Sequence, residues 1–230
     1  MPGKDLEWAA AEIAENAGGL PQPGRVGEVC RDALHVTGAG LMLISGDGVQ
    51  GSLCTTDPVS TLIEELQYSL GEGPCLDAYR QDQVVAEPDL SNPATSRWPA
   101  FTYAALRGGA HAVFSLPLKT GGLRLGSLDL YMDRPASLSV DQIADGIVLA
   151  GLAAGWVMAA QGATTPGALS DILTTGDFHL AVHNAAGMVS VQLGVPVREA
   201  LLLLRGHAFA QGVALNTTAQ DVITGRLRFG

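Results

Sequence analysis

The chain has 230 residues, 47% of them hydrophobic, so it is long enough for one large or two small domains whose core needs no disulfide or metal. Its net charge of −10 arises in residues 1–169, which hold nine basic and nineteen acidic residues, whereas residues 170–230 hold four arginines and four acids. The acidic part would repel nucleic acid, so a nucleic-acid contact is expected only in the C-terminal part.

The sequence also bears on compartment and redox chemistry. The most apolar stretch, 143–160, includes Asp145 and three glycines, which indicates a buried helix rather than a bilayer span. The charged, amphipathic N-terminus lacks the apolar stretch of a secretion signal, so we predict a cytoplasmic protein without membrane contact. Cys30, Cys54 and Cys75 are odd in number and lack paired spacing, which favours packing thiols over disulfides or a zinc site.

The first predicted elements are two helices and a β-hairpin. Apolar residues at helical spacing predict helices over 5–16 and 26–36, separated by a break rich in glycine and proline. Short apolar runs at 39–45 and 49–55 flank a Gly-Asp-Gly turn, which is typical of two antiparallel strands.

A second group of helices and strands follows the hairpin. Asp57 and Pro58 suit the N-cap and the first position of a helix. Further along, the pattern predicts a short helix through Tyr79, a strand at 84–86, a helix at 100–107, strands at 111–118 and 123–132, and a long helix from Ser139 to near Gln161.

Beyond residue 162 the strand signals stop and three helices are predicted. One covers 180–193, one follows Pro196, and Thr217 with Gln220 matches a capping box for the third. The order of elements predicts an α+β fold, with an antiparallel sheet flanked by helices and a C-terminal three-helix bundle. The corresponding divisions are an N-terminal helix at 1–19, a sheet domain at 20–161, a linker at 162–170 and the bundle at 171–230.

Three short segments make residues 20 to about 160 resemble a GAF sensor domain. They are Leu-Gly-Glu-Gly-Pro-Cys-Leu-Asp-Ala at 70–78, Trp-Pro-Ala-Phe at 98–101 and Gly-Ser-Leu-Asp-Leu at 126–130. The resemblance implies a GAF-like antiparallel sheet with helices, and a domain that receives a signal, such as a small molecule bound between the sheet and the helices.

The C-terminal part resembles an ANTAR domain, the RNA-binding output module of transcription antiterminators. The matching segments lie at 185–195, 199–201, 204–205, 207–209, 221–223 and 226–229. This resemblance implies an ANTAR-like bundle that binds hairpins in nascent leader RNA and favours an antiterminator over a terminator. It also implies a homodimer, in agreement with the very apolar surface of the helix over 143–158.

The chain departs from this second pattern where basic residues are usual. Ala186, Leu203, Val213 and Gln220 stand at such positions. Because phosphate contacts supply much of RNA affinity, we hypothesise weak or partner-assisted RNA binding. The alternative is a sensory or protein-interaction dimer that has lost strong RNA binding.

Two sets of residues are candidates for binding. Those predicted to contact RNA lie in the bundle: Asn184, Ala185, Ala186, Gly187, Gln192, Arg205, His207, Arg226 and Arg228. Those predicted to line a small-molecule pocket are Met42, Cys54, Cys75, Phe101 and Leu128. Arg205 is interpreted equally as a phosphate contact or as an exposed or salt-bridged helix residue, and Phe209 is interpreted as a core residue. Cys75 begins a helix, which permits redox sensing, but a packing thiol is favoured.

No enzyme signature is present. The chain lacks a P-loop, a dinucleotide-binding glycine pattern and a Gly-x-Ser-x-Gly segment. Glu72 and Asp77 imitate a carboxylate pair but flank a turn without a companion base. We therefore expect a protein that is not an enzyme, and the sequence identifies neither a cofactor nor the signal.

Overall fold

The structure is a computed structural model that describes residues 4–15, 23–45, 48–92, 97–162 and 177–230. It comprises a sheet domain, residues 4–162, and a helical bundle, residues 177–230. The predicted α+β class is confirmed. The predicted linker at 162–170 lies outside the described residues, except for Gly162 at the end of a helix.

The elements of the sheet domain follow the predicted order closely. Its helices are α1 (Lys4–Glu15), α2 (Pro23–Leu34), α3 (Pro58–Leu70), α4 (Pro74–Gln81), α5 (Pro99–Gly108) and α6 (Val140–Gly162). Its strands are β1 (Gly38–Ser45), β2 (Gly48–Thr55), β3 (Val85–Glu87), β4 (Ala112–Thr120) and β5 (Leu123–Met132).

The five strands form one antiparallel sheet in the order β2-β1-β5-β4-β3. Helices α1, α2 and α6 cover one face, and α3, α4 and α5 cover the other. Alternate residues of β1 therefore enter different cores: Leu41 and Leu43 pack toward α2 and α6, whereas Met42 and Ile44 face the opposite side. The sheet thus lies between two layers of helices, and β1 and β5 occupy its centre.

The start of α3 is fixed by a side-chain cap. Asp57 Oδ1 accepts hydrogen bonds from the backbone N–H groups of Val59 (2.8 Å) and Ser60 (3.0 Å), and Pro58 opens α3, as predicted. Tyr131 on β5 donates its hydroxyl proton to the same Asp57 oxygen (2.9 Å), which ties α3 to the sheet. The cap therefore sets the position of α3 as well as its first turn.

The part of α6 at Val140–Ala159 is long and apolar enough to cross a membrane, and 39% of this apolar stretch is buried inside the protein. In the structure, α6 packs along β4, α1 and α2, with Leu149, Ala153 and Trp156 buried. One side of α6 therefore belongs to the core of the sheet domain.

The bundle consists of α7 (Asp177–Leu193), α8 (Val197–Gln211) and α9 (Leu215–Ile223). Its centre contains small and aliphatic side chains: Val182, Ala185, Ala186, Val189, Ala200, Leu204, Ala219 and Val222. The predicted capping box of the third helix is wrong. Helix α9 begins two residues before Thr217, after Ala214, which makes no side-chain cap.

The close pairing of β1 and β5 requires a glycine at position 126. A Cβ there would overlap the carbonyl oxygen of Met42. We expect Gly126→Ala to lower the free energy of unfolding by roughly 2 kcal/mol or more, because backbone cannot yield as a side chain can. Thermal unfolding measures this, with Gly122→Ala as the control because a Cβ at position 122 meets open space. Equal melting temperatures for the two variants would contradict the tight register.

Candidate functional site

A buried polar cluster lies between the sheet and α3. Its central residue is Asp129, on the face of β5 that points toward α3. Asp129 is 4% exposed. It accepts hydrogen bonds from the side-chain amide of Gln67 (3.1 Å), from Ser127 Oγ (3.2 Å) and from Ser115 Oγ. These donors offset much of the cost of burying a carboxylate.

Glu64 on α3 is a second acid in this cluster and is 2% exposed. Burial raises the pKa of Asp129 to about 6, against the lowering effect of its hydrogen bonds. Burial, together with the charge of Asp129, raises the pKa of Glu64 well above its ordinary value. Because two ionised carboxylates repel strongly in a dry site, the protonated form of Glu64 is favoured, and neither of its carboxyl oxygens has a hydrogen-bond partner among the described residues.

Gln67 joins this cluster to the next helix. Its Oε1 accepts a hydrogen bond from the backbone N–H of Cys75 at the start of α4 (2.7 Å). The Cys75 thiol is fully buried, and burial, followed by the nearby charges of Asp129 and Glu64, raises its pKa well above the ordinary value. A thiol held neutral is a poor nucleophile, so the structure favours the packing interpretation of Cys75 over redox sensing.

Two carboxylates, Glu72 in the turn between α3 and α4 and Asp77 on α4, accept hydrogen bonds from the segment that begins α5. Glu72 Oε1 accepts from the backbone N–H groups of Ala100 (2.9 Å) and Phe101 (3.0 Å), which satisfies the start of α5. Asp77 Oδ2 accepts from Trp98 Nε1 (3.0 Å). The motifs at 70–78 and 98–101 are therefore joined in space, and Glu72 and Asp77 serve as structural acceptors.

The five residues predicted to line a ligand pocket do not share one. Cys54 and Leu128 pack into the core toward α2 and α6, whereas Met42 and Cys75 lie on the opposite face of the sheet, and Phe101 belongs to a third cluster under α5. The alternation of β5 places position 128 opposite to positions 127 and 129.

The bundle packs against the α3–α4 side of the sheet domain. Met42, Ile44, Tyr68, Cys75 and Leu76 of the sheet domain belong to the same hydrophobic cluster as the bundle core. The ring of Tyr68 is central to this contact: it lies 6.4 Å from the ring of His183 on α7 and 5.4 Å from the guanidinium carbon of Arg205 on α8. The two domains therefore share a core next to the buried polar cluster.

Several residues predicted to contact RNA are buried instead. Ala185 and Ala186 are 0% exposed and pack within the bundle, so the prediction for them is wrong. Arg205 packs against the sheet domain, and Gly187 is half-buried.

The remaining predicted RNA contacts lie on the bundle surface. Gln192 Oε1 accepts from the backbone N–H of Phe229 (3.1 Å), and the ring of His207 meets the Phe229 ring edge-on at 5.6 Å. Arg226 forms a salt bridge with Asp221 (2.6 Å). The last two of the predicted set, Asn184 and Arg228, are exposed. Phe209, interpreted from the sequence as core, is 68% exposed, which corrects that interpretation.

Sequence reasoning missed Glu64, Gln67, Tyr68, Ser115 and Asp129. A detectable signal was the alternation in the segment at 126–130, which puts Ser127 and Asp129 on one face of a buried strand. Two polar residues facing a core at that spacing indicate a hydrogen-bonded network. Among the described residues, no group of three or more His, Cys, Asp or Glu side chains is arranged to hold a metal.

The protonated Glu64 makes stability depend on pH. A group whose pKa is raised in the folded state stabilises the fold below its ordinary pKa of 4.5, and that contribution is lost as the pH rises through the folded-state pKa. We expect Glu64→Gln to stabilise the protein at pH 8 by on the order of 1 kcal/mol and to have less effect at pH 4. Urea unfolding at both pH values measures this, with the exposed Glu7→Gln as control. A Glu64→Gln variant less stable than wild type at pH 8 would contradict the raised pKa of Glu64.

The architecture matches solved GAF domains. The GAF domain of an Acinetobacter phosphoenolpyruvate-protein phosphotransferase aligns with a TM-score of 0.53 and 14% identity, covering 72% of this chain and 99% of that one. The GAF domain of a Coxiella burnetii phosphoenolpyruvate-protein phosphotransferase aligns with a TM-score of 0.51 and 16% identity, covering 69% and 95%. No family model and no curated protein matched the chain. The sheet domain of this chain has the GAF fold.

Proposed function

We propose that the protein is a transcription antitermination regulator, in which the GAF-fold domain receives a signal and the ANTAR-like bundle binds hairpins in nascent RNA. The observation that carries the proposal is the terminal patch, in which Gln192 and His207 contact Phe229 on the bundle surface and the exposed Arg228 precedes Phe229 in the chain. The shared core between the two domains supplies a physical route by which a signal reaches the bundle.

The chemistry of the terminal patch suits RNA. The segment at 226–229 folds back on the bundle, since the backbone N–H of Leu227 donates to Asp221 O (2.9 Å) and that of Phe229 donates to Gln192. The exposed Arg228 is therefore the chain neighbour of a residue that contacts both an amide and an imidazole. Proteins that bind the single-stranded loops of RNA hairpins use cations to contact phosphates and polar side chains to contact base edges.

The same structure supports weak binding. Of the four arginines after residue 169, Arg205 packs against the sheet domain and Arg226 pairs with Asp221. Each phosphate contact that is lost lowers RNA affinity and flattens its dependence on salt. We infer that a partner or a released bundle is needed for tight binding.

A second candidate function rests on the exposed apolar side chains of the bundle. Leu202, Phe209 and Val213 on or just after α8 are 56%, 68% and 43% exposed. A surface with such residues in place of basic ones favours a protein-interaction module over an RNA binder. This alternative predicts that the bundle contributes to protein association and binds no RNA.

We also propose that the protein is a homodimer formed through α6. After the exposed Asp141 in its first turn, the outward side of this helix carries the uncharged residues Ala144, Ile147, Val148, Gly151, Gly155 and Met158. Five of them, without Ile147, are spaced alternately by four and three residues, which is the repeat of a helix pair. The two glycines allow a second copy of α6 to approach closely.

We expect Arg228→Ala to weaken the binding of a paired-hairpin leader RNA at low salt by about three- to tenfold, because one phosphate contact is lost. A gel shift across a salt series measures the affinity and its salt dependence. The matched control is Arg134→Ala, since Arg134 is also exposed but lies in the acidic sheet domain. No binding by wild type at low salt, in a folded sample, would contradict RNA recognition and favour the protein-interaction alternative.

For the dimer, we expect Val148→Glu to shift the protein to monomer, because a carboxylate on the apolar side of α6 cannot be buried against its copy. Sedimentation velocity measures the oligomeric state. Leu123→Glu is the control, because Leu123 at the β4–β5 turn is 49% exposed and Val148 is 47% exposed. Dissociation by both variants, or by neither, would contradict a dimer through α6.

A further inference from the structure

We propose that the contact between Tyr68 and Arg205 is an autoinhibitory latch, which holds the bundle closed on the sheet domain and keeps Arg205 away from RNA. The inference rests on the proposed RNA binding and adds how that binding is controlled. The latch joins α3 of the sheet domain to α8 of the bundle.

The closed arrangement buries a cation without a counter-charge. The Nε and Nη2 atoms of Arg205 are buried and have no hydrogen-bond partner in the part of the chain that the structure describes. Burial accordingly lowers the pKa of Arg205. The compensating contact is the face of the Tyr68 ring, 5.4 Å from the guanidinium carbon. A buried guanidinium held by one aromatic ring is weakly retained, which suits a contact that must open.

The approach of Arg205 depends on the turn after α3. Gly71 ends that helix in the left-handed region (φ 67°), and a Cβ there would lie 3.2 Å from Arg205 Nη1. The glycine therefore both ends α3 and leaves room for the guanidinium. Beside this contact, an open apolar groove of about 540 Å³ remains between Leu66, Tyr103 and Phe209. Incomplete packing of this kind lowers the cost of separating the two domains.

The latch is adjacent to the buried polar cluster. Tyr68 follows Gln67, whose amide holds both Asp129 and Cys75. A rearrangement at Asp129 that moves α3 would therefore move the Tyr68 ring between His183 and Arg205. Because one guanidinium cannot stack on Tyr68 and pair with a phosphate at the same time, closure and RNA contact by Arg205 exclude each other.

The test combines a readout of docking with a readout of RNA binding on the full chain. Hydrogen–deuterium exchange of peptides covering α8 reports docking, and a gel shift with a paired-hairpin leader RNA reports affinity. We expect Tyr68→Leu to increase exchange in α8 and to tighten RNA binding about threefold or more. The control is Trp8→Leu, because the aromatic ring of Trp8 is 42% exposed on α1, which packs on the other face of the sheet. It should change neither readout.

The outcomes separate the latch from the proposed function. If Tyr68→Leu loosens α8 and RNA affinity is unchanged or weaker, the latch is wrong while RNA binding stands. If α8 loosens and neither form binds RNA, the proposed function is wrong and the latch as stated falls with it. If α8 exchange is unchanged, Tyr68 is not what holds the bundle. Should Tyr68→Leu fail to fold, His183→Ala removes the neighbouring ring contact from the half-buried His183, and the same outcomes apply.

Discussion

The side-chain amide of Gln67 is the interaction on which the rest of the arrangement depends. Its N–H group binds the Asp129 carboxylate on β5, and its oxygen binds the first free N–H of α4. One fully buried residue thus fixes α3 and α4 against the centre of the sheet. The turn between these helices then caps α5 through Glu72, so the helices on this face of the sheet share one hydrogen-bonded framework.

That framework also sets the surface to which the bundle binds. Successive residues of α3 point to different neighbours: Gln67 faces the sheet and Tyr68 faces α7 and α8. A change in the protonation or hydrogen bonding of Asp129 is therefore one residue away from the domain contact. Burial raises the pKa of both Glu64 and Asp129, so the charge of this region depends on pH. The proposed route from the sheet domain to the bundle therefore runs along a single helix.

Much of the fold was predictable because it depends on local rules. Period-two and helical patterns identified the strands and helices, and Asp57-Pro58 marked the start of α3. The site was less predictable, because its members come from α3, β4 and β5 and meet only in the folded sheet. Strand alternation places Leu128 on the side of the sheet that faces α2 and α6, so its assignment to the pocket was wrong. The next residue, Asp129, points to the other side and belongs to the site. The burial of Ala186 and Arg205 depends on how helices and domains pack, and helical spacing alone does not specify this.

The central claim is that the bundle is docked on the GAF-fold domain through Tyr68. At 23.7 kDa per chain, the protein is accessible to solution NMR with selectively labelled tyrosine. The account predicts nuclear Overhauser contacts from the Tyr68 ring protons to the side chain of Arg205 and to the ring of His183. If the Tyr68 ring has contacts only within the sheet domain, and the bundle tumbles independently of that domain, the shared core and the control of the bundle through α3 are contradicted.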